Sequence, residues 1–132
     1  MKEVMCIIRL NKITKTKNAL SESGFPSFTC RKVLGRGKKS IDEILGLQSI
    51  VEVNEEIITS PYHAESFSEK SRLVPKRLIT LVVNDDDVKR VVDIVISSNS
   101  TQSPGDGRIF VLPIDESYRI RDGQKDTESI EI

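Results

Sequence analysis

The chain has 132 residues, one domain's worth of polypeptide. Twenty basic and twenty acidic residues cancel, which argues against a dedicated nucleic-acid binder or a membrane-surface protein. No stretch approaches the roughly 20 apolar residues needed to span a bilayer, and MKEVMCIIRLNK has neither the length nor the cleavage site of a secretory leader, so a cytoplasmic protein is expected. Cys6 and Cys30 lie in separate apolar stretches and read as two reduced core thiols. With His63 as the single histidine, a Cys/His metal site is short of ligands, and none is expected.

In chain order, VMCIIRL (4–10) reads as a buried strand. NKITKTKNALSESG (11–24) follows as a helix with Ile13, Thr16, Ala19 and Leu20 near one face, Asn11 or Thr14 as its cap and Gly24 just past its end. Lys12 and Lys15 near its start and Glu22 near its end oppose the helix dipole, so packing must carry it. FPSFTCRKVLG (25–35) reads as a second strand. KRLITLVV (76–83) is a third, and NDDDVKRVVDIVISSN (84–99) a second helix, with Asn84 or Asp85 as cap and Val88, Val91, Val92 and Val95 at i, i+3, i+4, i+7. RIFVLP (108–113) is the returning strand. Two β-α-β units in tandem predict an α+β, ferredoxin-like βαββαβ sandwich: four antiparallel strands with two helices on one face.

Residues 35 to 75 exceed an ordinary connection, and such segments are functional or disordered. This one holds Ile41, Ile44, Leu45, Leu47, Ile50, Val51, Val53, Ile57 and Ile58, followed by the polar, turn-rich TSPYHAESFSEKSR. An apolar-studded excursion from a small domain suggests a surface that another protein covers. The alternative is an accessory hairpin packed on its own domain.

GRGKKS (35–40) is no Walker loop: Lys32 stands where that pattern requires glycine, and no Ser or Thr follows the lysine directly at the required place. PGDGR (104–108), taken alone, is an ordinary helix-to-strand turn, although glycines also let backbone N–H groups approach an anion. The basic groups Lys38, Lys39, Lys76, Arg108, Arg119 and Arg121 point further. Arg119 and Arg121 would share a face in extended chain, and fixed cations beside glycine-bearing turns suit phosphates. No Ser/His/Asp or Cys/His set is present and no carboxylate pair stands out as a catalytic centre, so binding is favoured over catalysis and no catalytic residue is assigned.

MKEVMCIIRLNKITKTKNALSESGF, TCRKVLGRGKK, VPKRLITLVVNDDDV, TQSPGDGRIFVLP and YRIRDGQKD together resemble the nitrogen-regulatory PII family, over nearly everything outside residues 40–72. FPSFTCRKVLGRGKK is most similar to the branch found beside nitrogenase genes in archaea and some bacteria, the NifI type. The resemblance implies a single domain over 1–132, with a target-docking T-loop at 37–75 and a C-terminal tail at 122–132. It implies a trimer, of one chain or mixed with a homologue, with ATP or ADP in the cleft between neighbours. On this analogy Gly105, Asp106, Gly107 and Arg108 wrap the phosphates, Lys76 reaches them from the strand start, and Arg119 and Arg121 come from the adjoining subunit. Thr29, Gly35 and Gly37 match family positions around the nucleotide, Lys38 and Lys39 lie beside its phosphates, and Leu81 and Val82 line the adenine pocket.

Family members ordinarily carry glutamine where this chain has Lys39, a position that helps hold Mg²⁺ and 2-oxoglutarate. A cation there repels Mg²⁺, which places 2-oxoglutarate binding by this chain in doubt and points to a paired homologue. The loop also lacks the usual setting of a modified tyrosine; Tyr62 is its only one. The reading is a non-enzymatic sensor of energy and nitrogen status that engages dinitrogenase. Its rivals are control of glutamine synthetase or an ammonium transporter, an RNA-binding module on the same fold, for which the central strands lack stacking aromatics, and a phosphoryl-cleaving enzyme, for which no catalytic set exists.

Overall fold

The computed structural model describes residues 1–37 and 73–126. Its elements run β1 (Lys2–Arg9), α1 (Ile13–Glu22), β2 (Thr29–Gly35), β3 (Val74–Val83), α2 (Val88–Asn99) and β4 (Gly107–Pro113), with a single 3-10 turn leading into each helix. The strands form one antiparallel sheet in the order β2-β3-β1-β4. Both helices pack on one face, the ferredoxin-like α+β sandwich expected from the tandem β-α-β pattern.

The period-two alternation of the central strands produces this layering. Val4, Cys6 and Ile8 of β1 and Ile79, Leu81 and Val83 of β3 turn towards the helices, where Leu20 of α1 and Val91 and Val95 of α2 close the core. The register sets Val4 between Leu81 and Val111, and Cys6 between Ile79 and Ile109. The intervening residues Glu3, Met5, Ile7 and Arg9 share the open face with Lys76, Leu78, Thr80 and Val82, and with Arg108, Phe110 and Leu112.

Several expectations are corrected. Neither helix is capped by the anticipated side chains: Lys12 and Asp87 occupy the cap positions without capping bonds, and the aspartates at 85–87 form the 3-10 turn instead. Asp85 pairs with the N-terminal ammonium at 2.7 Å. The second strand begins at Thr29 rather than Phe25. Gly24 (φ +90°) ends α1 with the Gly24 N–H on Ser21 O and the Phe25 N–H on Leu20 O, so Phe25 is spent on the helix terminus, and Pro26 follows without a donor. Phe25 then lies under the Arg90 guanidinium, 4.8 Å from ring centre. Val74 and Pro75, assigned to the long loop, already belong to β3, and Gly107 to β4. Cys6 is a core thiol, its pKa pushed up to about 12 by burial, but Cys30 is exposed because β2 is an edge strand paired only with β3.

No helix of the described residues is long and apolar enough to cross a membrane. The expectations for residues 38–72, including Lys38, Lys39, Tyr62, His63 and the apolar excursion, and for the tail at 127–132, lie outside the described residues.

Candidate functional site

One end of the sheet gathers much of the expected phosphate-binding set. Arg9 ends β1 opposite Lys76 of β3, and Ile8 is opposite Gly107 at the start of β4. The connection from α2 returns here as a tight turn, closed by the Asp106 N–H on Ser103 O at 3.4 Å. Lys76 Nζ donates to Gly105 O at 3.1 Å, and a β-carbon built on Gly35 would lie 4.0 Å from Lys76 Cγ, so β2, β3 and the turn converge. Arg108 is exposed on the open face beside Ile7. Gly37 leaves β2 at the same end and is exposed.

Glycine at 107 is dictated by a close approach. Its φ is +124°, and a β-carbon there would stand 2.0 Å from Ile7 O. Only a residue without a side chain lets β4 begin against β1 at this point.

Asp106 turns its carboxylate into its own loop. It accepts from the Thr101 N–H at 2.7 Å, from the Thr101 hydroxyl and from the Ser103 N–H at 3.3 Å. Burial alone would raise its pKa, but these bonds and the Arg9 charge outweigh that and hold it below the usual carboxylate value. The carboxylate is therefore spent on shaping the backbone of its own loop.

Arg9, which the sequence reading did not single out, is the anchor. Its side chain is 6 % exposed. Nε donates to Gly105 O at 3.1 Å and Nη2 to Pro104 O at 3.3 Å, and Nη2 lies 3.1 Å from Asp106 Oδ1. The available signal was an arginine closing an otherwise apolar strand, VMCIIRL.

The remaining expected residues sit elsewhere. Thr29 pairs with Thr80 further along the sheet, its hydroxyl 3.5 Å from Thr80 O. Val82 is half-buried on the open face beyond it. Leu81 is fully buried in the core, so its side chain faces the helices and not the open face that Val82 shares. β4 ends far from its starting turn, where the Ile114 N–H meets Met1 O at 3.3 Å.

Beyond that end, Arg119 and Arg121 lie in a tight turn closed by a Tyr118–Lys125 bridge, not in the extended chain that placed them on one face. Arg119 Nε contacts both Asp122 oxygens at 3.0 Å, and Nη2 donates to Gln124 Oε1 at 3.3 Å. Arg121 is exposed. The expected residues thus fall into groups: Gly35, Gly37, Lys76 and Gly105–Arg108 at one end of the sheet, Thr29 and Val82 further along it, and the arginine turn after the end of β4.

Comparison with known proteins resolves the family. The family model for nitrogen regulatory protein P-II matches residues 1–124. The chain belongs to the P-II family. It is 42% identical over 130 residues to a "nitrogen fixation nifHD region GlnB-like protein 2" of Methanothermococcus thermolithotrophicus, covering 94% of each chain. A protein of the same description from Methanothermobacter marburgensis is 41% identical over 132 residues, covering 98% of this chain and 100% of its own. A "GlnB-like protein 1" of the nifHD region in M. thermolithotrophicus is 35% identical over 124 residues. This P-II chain carries no cluster of three or more potential metal-binding side chains among its described residues.

Proposed function

We propose that this chain is an adenine-nucleotide-responsive P-II regulator of nitrogen fixation, acting as a trimer, of itself or mixed with a homologue, and engaging a nitrogenase component through residues 37–75. The observation that supports the nucleotide part is the division of the cationic groups. Lys76 and the Gly105–Arg108 turn occupy one end of the sheet, while Arg119 and Arg121 leave from the other, about 20 Å along β4. A second copy set against the first supplies the missing half. The residues suit a polyphosphate: Lys76 and Arg108 are cationic, the turn exposes backbone at Gly105 and Gly107, and no carboxylate of the turn faces outwards. The ligand's role is to bias which arrangement of residues 37–75 prevails, since a nucleotide shifts target affinity only by contacting those alternatives differently. Nitrogen fixation as the regulated process rests on the nifHD region named in the relatives' descriptions. Binding of 2-oxoglutarate is assigned to a homologue in the mixed complex, because Lys39 is a poor neighbour for Mg²⁺.

Lys76→Ala and Arg119→Ala each remove a charge-assisted phosphate contact of roughly 1.5–3 kcal/mol, so ATP affinity should fall about tenfold or more in either. Calorimetry beside light scattering checks this. Unchanged ATP affinity in both assembled variants, or a wild-type chain that stays monomeric with ATP present, defeats the reading. Replacing residues 42–70 by a Gly/Ser linker should abolish capture of dinitrogenase while leaving size and ATP binding intact.

A further inference from the structure

The turn at 104–108 is held from beneath by a buried charge. Arg9 is 5% exposed, yet its guanidinium engages three consecutive residues: the Pro104 carbonyl at 3.3 Å, the Gly105 carbonyl at 3.1 Å and the Asp106 carboxylate at 3.1 Å. Asp106 in turn gathers Thr101 and Ser103, so one buried cation organises the loop from 101 to 106. No peptide here is cis. Turning the Pro104 and Gly105 carbonyls onto Arg9 therefore puts the N–H groups of Gly105 and Asp106 on the far side of their peptide planes. The Asp106 N–H is taken by Ser103 O, and the Gly105 N–H faces away from the guanidinium.

A buried guanidinium costs more to desolvate than an apolar side chain of similar size, and fold stability alone does not require it. What a planar fork of five donors supplies, and a point charge does not, is a simultaneous grip on several acceptors at fixed angles. We propose that Arg9 is a positioning residue for phosphate binding, setting the Pro104–Arg108 backbone on which the phosphates rest without contacting them. This deepens the nucleotide reading and rests on it.

Arg9→Lys in the full chain keeps the charge and removes the fork. ATP affinity should fall by about tenfold, with assembly and melting midpoint close to wild type. In the ligand-free protein, hydrogen exchange should quicken at Gly105–Arg108 and stay slow at Val4 and Cys6. A folded Arg9→Lys variant that binds ATP as tightly as wild type overturns the proposal, as does exchange that quickens equally throughout β1, which marks a merely structural role. If Arg9→Lys does not fold, Asp106→Asn loosens the same loop from its other side; it must weaken ATP binding with the same local exchange signature, and unchanged affinity overturns the proposal. A wild-type chain that fails to bind ATP defeats the nucleotide reading itself, an outcome separate from wild-type binding that Arg9→Lys leaves untouched.

Discussion

At one end of the sheet an arginine and an aspartate meet with side chains 6 % and 21 % exposed; in the turn that follows β4 a second such pair meets with 42 % and 33 %. The Arg9–Asp106 pair joins residues 97 positions apart across β1 and the turn before β4, whereas Arg119–Asp122 spans three positions of one local turn. The heavy-atom distances are similar, 3.1 Å and 2.8 Å. Distance is thus a poor guide to what a pair does. Burial makes the first pair a fixed part of the frame, because Arg9 without its partner would be a charge stranded away from water. Exposure leaves the second screened and replaceable.

The largest effect should come from breaking the frame at its tightest point. Gly107→Ala places a β-carbon 2.0 Å from Ile7 O at a φ of +124°. Strain and overpacking combine to about 3 kcal/mol or more, visible as a large fall in the thermal midpoint or loss of folded protein. Gly37→Ala meets nothing within 4 Å among the described residues and should be close to neutral. Next comes Arg9→Ala, which removes the buried donor shared by Asp106 and the Pro104 and Gly105 carbonyls and should cost about 3 kcal/mol in urea unfolding. A near-neutral Arg9→Ala would erase the distinction between the two pairs.

The pH dependence of stability sharpens the same contrast. The folded Asp106 carboxylate is held below its ordinary value near 3.8, so its contribution is present above that value and is lost as pH falls through the lower folded one. Acid unfolding should therefore steepen below about pH 4, and Asp106→Asn should flatten that limb while lowering stability at pH 7. An unchanged acid limb would mean that Asp106 is not bound as the geometry has it.

Much of this was legible beforehand. Periodicity located both helices and all four strands because the core is simple: alternating strands against Leu20, Val91 and Val95. The GDG turn and Lys76 lie together because strand order sets the start of β4 and the start of β3 at the same end of the sheet. What escaped depended on contacts far apart in sequence. Arg9 reads as a mere strand terminator until β4 returns beside it, and Asp106 reads as a turn former until Thr101 and Ser103 fold onto it. The start of β2 was misplaced because Phe25 looks like a strand residue, while the Gly24 turn commits its N–H to α1. Arg119 and Arg121 were set on one face by assuming extended chain, which the 120–122 turn denies. Leu81 and Val82 were paired in one role although a strand sends neighbours to opposite faces.

The smallest expected effect belongs to the arginine turn. Asp122 has its pKa held below the usual value first by its bond from Arg119 and then by the Gln124 N–H. Both groups remain in contact with water, so the attraction is offset by the cost of fixing two side chains and is weakened by salt. Arg119→Gln should therefore leave the melting midpoint unchanged within error, while NMR titration follows the Asp122 carboxyl upwards towards its ordinary value near 3.8. High salt should raise it in wild type as well. The Asp106 carboxyl should respond to salt less, because its partner Arg9 is buried, with a side chain 6 % exposed, whereas Arg119 is 42 % exposed. Should Arg119→Gln instead lower the melting midpoint as much as Arg9→Ala, the turn at 119–124 would be part of the fold's frame, and its arginines would not be free to serve a neighbouring subunit's ligand.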